Sequence, residues 1–72
     1  MDNDYALLLL VKKQVNIHAF CSEFDIQDSF DEYTSRTYAL GFPNQRYSFE
    51  PLTEFEFKFL LSFFDLRGML IK

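Results

Sequence analysis

Glu23, Asp25, Asp28, Asp31 and Glu32 lie between Lys13 and Arg36, in a stretch with no lysine or arginine of its own. The formal net charge of the chain is -4, so these five carboxylates carry more than the whole excess. Read as one helix over 23–33, at about 100° per residue, Asp25, Asp28, Asp31 and Glu32 fall on one side and Ile26, Phe30 and Tyr33 on the other. Asp25, Asp28 and Glu32 then form a row about 10 Å long, flanked by Asp31, with Phe24 exposed among the acids as an apolar anchor. The chemistry such a row suits is recognition, because arginine and lysine pair with carboxylates as they do with phosphates. The cations able to interrupt the row are Arg36, Arg46, Arg67 and Lys72.

Other chemistry is sparse. Acids on a helix, without the central glycine of an EF-hand loop, do not wrap a Ca²⁺ or Mg²⁺ ion. A single histidine, His18, and a single cysteine, Cys21, fall short of a structural zinc site. Gly41 and Gly68 are the only glycines and neither stands in a phosphate-cradling loop. His18 and Cys21, three apart on a strand, point to opposite faces and form no nucleophilic pair. No catalytic residue, metal or cofactor is expected. Gln14, Ile17 and Phe20 match three positions of the sliding-clamp-binding box, but Cys21 replaces its next aromatic and the match is read as chance.

The elements that hold these residues must fit in 72 residues, read as a single compact domain over 1–72. At this size one core supplies only roughly 3–5 kcal/mol, and a lone cysteine adds no disulfide to it. Ten Phe and four Tyr can fill a core, or a core and a subunit interface. The unpaired cysteine fits a reducing, cytoplasmic setting. The longest apolar run, Ala6 to Val11, is far short of the roughly 20 residues of a membrane span, and it follows Asp2 and Asp4 rather than a basic leader. A sequence pI of about 4.7 argues against direct binding to nucleic acid.

Tyr5 to Val11 reads as a buried strand, and the alternation through Val15, Ile17, Ala19 and Cys21 has strand period. Ser22 is a candidate cap for the acidic helix; Ser29 with Glu32, ending at Gly41, is a second possible start. Thr34 to Phe42 and Arg46 to Glu50 read as a hairpin across Phe42–Arg46. The final helix has the clearest signals: Thr53 and Glu56 at capping-box spacing, Leu52 and Phe57 at staple spacing, and Gly68 just past the end. The fold class expected is α+β, a small, mostly antiparallel sheet with two helices.

On that last helix Phe57, Leu60, Leu61 and Phe64 form one apolar stripe and Phe55, Phe59, Phe63 and Leu66 another. The apolar arc is about twice the roughly 100° of an ordinary surface helix. The second stripe is therefore expected to form the interface of a two-fold homodimer.

In size, acidity and lack of catalytic machinery the chain resembles the small phage-encoded inhibitors that take over host proteins, including DNA mimics. That resemblance implies a non-enzymatic binder in the host cytoplasm that occupies the basic surface of a DNA- or RNA-handling host protein. Its contact residues would be Glu23, Phe24, Asp25, Asp28, Asp31 and Glu32. The alternative is an interaction module, or small subunit, whose partner binds the Phe-rich helix.

Overall fold

The computed structural model describes residues 2–69 and folds there into four helices: α1 (Asp2–Lys13), α2 (Ile17–Glu23), α3 (Phe30–Leu40) and α4 (Glu54–Leu66). No strand occurs among the described residues, so the expected α+β sheet is overturned and the protein is all-α. Met1, Leu70, Ile71 and the cation Lys72, all within the single domain expected over 1–72, lie outside the described residues.

Each misread segment has its own cause. Tyr5 to Val11 consists largely of Ala and Leu, strong helix formers, with Val11 its only β-branched residue. A short unbroken apolar run has no period that separates strand from helix. The ends decide instead: an acidic start and Lys12 and Lys13 in the last turn complement the helix dipole. The helix stops at Gln14, whose φ of 52° is left-handed, and the Val15 amide reaches back to Leu10 O at 3.1 Å. That is the Schellman ending, with glutamine where glycine is usual.

Asn16 then caps α2, its Oδ1 accepting from the Ala19 amide at 3.1 Å. As a strand, 15–21 would have sent Phe20 and Cys21 to opposite faces; as a helix it buries both. Ser22, the expected cap, sits inside α2 and donates to Ala19 O at 3.1 Å.

In α3, Thr34 and Thr37 have strand composition, yet their hydroxyls donate one turn back to Phe30 O (2.9 Å) and Tyr33 O (2.8 Å). Ser29 caps this helix by accepting from the Glu32 amide, and Gly41, at φ 97°, follows its end. The later of the two starts is thus the one the chain uses.

α4 forms as expected. Thr53 and Glu56 make a reciprocal capping box at 3.2 and 2.9 Å. Gly68, at φ 69°, closes the other end, with Met69 N donating to Phe64 O at 2.8 Å.

The core gathers on α4. Phe57, fully buried, meets the rings of Phe20, Phe24, Phe30 and Tyr33 at 4.8–6.0 Å between centroids, mostly tilted or edge-on. Leu9 from α1, Cys21 from α2 and Leu60, Leu61 and Phe64 from α4 complete it with Tyr47 and Leu52. The connection 41–53 has no regular structure but is tied down: Asn16 N donates to Tyr47 O (2.6 Å) and Phe49 N to Lys13 O (3.1 Å). Lys13 also pairs with Glu50 and Glu56, each at 3.6 Å, clipping the end of α1 to the start of α4. No described helix is long and apolar enough to cross a membrane.

Candidate interaction surfaces

The acidic segment is not one helix. α2 ends at Glu23, residues 24–29 form a turn, and α3 starts at Phe30. Asp25 and Asp28 are the turn's own ligands: Asp28 Oδ2 accepts from the Asp25 amide at 3.0 Å, and Asp25 Oδ1 from the Gln27 amide at 2.9 Å. Short acidic side chains compete with helix geometry by bonding nearby amides, which is why 23–33 breaks here. The expected row of Asp25, Asp28 and Glu32 on one helical face is therefore corrected, and so is its apolar back, since Ile26 is exposed.

Phe24 is a second correction. Its side chain is 0% exposed and packs against Phe20, Tyr33, Tyr47 and Phe57, so it is a core residue and no anchor.

Arginines fill the middle of the acidic group. The Arg36 guanidinium lies 4.9 Å from the Phe24 ring centroid, donates to Glu23 O, and pairs with Asp28 (3.7 Å) and Glu32 (3.6 Å). Arg46 pairs with the Glu23 carboxylate. Three of the five carboxylates thus face arginine within the chain. Asp31 stands exposed in the first turn of α3, and Asp25 is half-buried at the turn. Arg67 is elsewhere, its guanidinium 4.9 Å from the Phe63 ring centroid and bonded to Asn3.

The second stripe of α4 is only partly outside, because Phe59 and Phe63 pack against the edge of the core. Phe55 is 67% and Leu66 83% exposed, while Phe59 and Phe63 are half-buried. The three rings form a ladder, with centroids 6.4 Å apart from Phe55 to Phe59 and 6.0 Å from Phe59 to Phe63, nearly parallel at 22° and 25°. Tyr5 of α1 lies edge-on to Phe59 at 4.8 Å and tilted over Phe55 at 6.2 Å, which carries the aromatic surface onto a second helix. The first stripe, Phe57, Leu60, Leu61 and Phe64, is the one buried.

Two clefts open elsewhere. One of about 320 Å³ lies between α3 and the connection, lined by Phe30, Tyr33, Thr37, Tyr38, Phe42 and Leu52 among others. It is apolar because the Thr34 and Thr37 hydroxyls are turned back onto their own helix. The other has His18, Cys21 and Met69 on its wall. On α2 the three-residue spacing brings His18 and Cys21 to one face, where a strand would have separated them. Burial pushes the Cys21 thiol above its ordinary value, the reverse of what activates a nucleophile. Among the described residues, no group of three His, Cys, Asp or Glu side chains is placed to hold a metal ion. Phe20, part of the clamp-box match, is buried in the core.

No protein-family model, curated protein or solved structure matches the chain.

Proposed function

We propose that the chain is a non-enzymatic interaction protein whose partner binds the outward stripe of α4. One observation carries this reading: α4 fills the core with one apolar stripe and still leaves Phe55 and Leu66 exposed beside the half-buried, stacked rings of Phe59 and Phe63. Contiguous exposed apolar surface is the usual mark of a contact site, and aromatic rings give large contact area with few rotatable bonds. The partner expected is a protein with an apolar patch or groove, in a reducing cytoplasm suited to the unpaired Cys21.

The charge-template reading, an acidic surface seated on a nucleic-acid-handling host protein, ranks second. Arg36 and Arg46 already occupy most of the carboxylates it would use. Salt separates the two. Capture from a bacterial lysate compares wild type with Phe55→Ser/Leu66→Ser and with Asp25→Asn/Asp31→Asn, each eluted in salt steps. A partner that resists salt, is kept by the acid-neutralised form and is lost from the Phe55/Leu66 form supports the α4 reading. A DNA- or RNA-binding protein released by moderate salt, and lost only when the acids are neutralised, overturns it.

A further inference from the structure

α1 has an outer face that the core leaves uncovered. Ala6 and Leu9 point inward, yet Leu7, Leu8 and Val11 are 62%, 61% and 66% exposed. Asp4, Leu8 and Lys12, four apart, make one ridge along the helix, all exposed. Leu7 and Val11 lie on one side of that ridge and Tyr5 on the other, by the 100° spacing. Neither Asp4 nor Lys12 has an ion-pair partner among the described residues.

Reversed, the ridge is its own complement. Leu8 is its midpoint, so a second α1 laid antiparallel, with Leu8 against Leu8, brings Asp4 opposite Lys12 of the second copy. Lys12 meets Asp4 of the second copy by the same symmetry, and the flank carrying Leu7 and Val11 meets the same flank of the second copy. A parallel arrangement would set like charges together. A two-fold axis through Leu8 yields two ion pairs flanking an apolar centre, with the helix dipoles also opposed. The outer stripe of α4 has no such signal: its neighbouring charges, Glu54 and Lys58, already pair with each other at 3.0 Å.

We propose that the outer ridge of α1 is a self-interface, occupied by α1 of a second copy of this chain in antiparallel, two-fold register. The six side chains from Asp4 to Lys12 offer on the order of 600 Å² per copy, at the low end of specific interfaces, so the self-association is expected to be weak. The self-contact is centred on a different helix from the α4 stripe, and it does not rest on the reading of that stripe as a partner site.

The test is sedimentation velocity on the full chain alone, from micromolar to millimolar concentration, on wild type, Asp4→Lys, Lys12→Asp, the double exchange, and Leu8→Gln. Far-UV circular dichroism confirms that each variant is folded. The expected result is a concentration-dependent wild-type dimer that each single reversal weakens by about tenfold or more, because like charges then face each other. The double exchange restores it, and Leu8→Gln weakens it without changing charge. Because the exchange keeps both charges unfavourable to the helix dipole, its recovery reports the pairing and not helix stability. A monomer at every concentration, a dimer indifferent to the single reversals, or a double exchange that fails to recover overturns the proposal.

Discussion

The Tyr33 hydroxyl accepts a hydrogen bond from the Leu52 amide at 3.0 Å, and both residues are buried. Leu52 directly precedes the Thr53 cap, so this bond fixes the start of α4 against the first turn of α3. Removing the hydroxyl leaves a buried N–H with no acceptor, which costs roughly 1–3 kcal/mol. Tyr33→Phe is expected to lower the urea midpoint accordingly with little change in slope. An unchanged midpoint would show that the bond adds nothing to stability.

Gln14 adopts φ 52°, a conformation that is strained for any residue with a Cβ and free of strain for glycine. Gln14→Gly is expected to stabilise the fold by about 0.5–1 kcal/mol, after the extra chain entropy of glycine is set against the relief. Thermal unfolding should move up by a few degrees.

Arg36 links the end of α2, the turn and α3 through Glu23 O, Asp28, Glu32 and the Phe24 ring. Its side chain is 39% exposed, so solvent screens part of the ion-pair contribution. Arg36→Gln is expected to cost about 1 kcal/mol, mainly from the lost donor to Glu23 O and the lost ring contact. Chemical denaturation at low and high salt separates these: a loss that persists at high salt comes from the donor and the ring.

Alkaline pH should open the core. Burial pushes both the Cys21 thiol and the Tyr47 phenol above their ordinary values, and the Glu23 charge adds to the effect on Tyr47 against the opposing Arg46 and Arg36. Both groups are held protonated in the folded chain. The stability this represents is complete below their ordinary values, about 9 and 10, and is lost as pH rises through the raised ones. Circular dichroism from neutral to strongly alkaline pH should show unfolding setting in above about pH 9, and Cys21→Ala should move that onset upward. An onset unmoved by Cys21→Ala would exclude the thiol as a contributor.

The signals that proved readable were local and paired. Thr53 with Glu56 and Gly68 mark the ends of α4 through specific backbone bonds, whereas Ser29 with Glu32 and Gly41 mark those of α3 only as an alternative to a helix over 23–33. The division of α4 into two stripes also follows from spacing, but which of them fills the core does not, since both are apolar. Where no such pair existed, composition misled. The leucines of α1 have no period, and Gln14 took the place of the glycine that would have announced the helix end. Asn16 is a cap signal that the alternation around it concealed. The acidic face is not legible for a different reason: helical spacing puts Asp25 and Asp28 on one surface, while their short side chains close a turn. Phe24 then went to the surface with them, although the turn drives it into the core. That Arg36 lies among these acids depends on how the turn brings α2 and α3 together, which spacing along the chain does not encode.

The connection between α3 and α4 has no helix or strand, yet two of its residues bond through the backbone to the α1–α2 junction, Tyr47 to Asn16 and Phe49 to Lys13. Solvent exchange of a backbone amide requires its bond to open, and these bonds join segments some thirty residues apart. The Asn16 and Phe49 amides are therefore expected to be protected from exchange although neither lies within a helix. The connection is thus expected to exchange in two classes, slowly at its two anchored points and fast at the exposed stretch around Phe42 and Pro43.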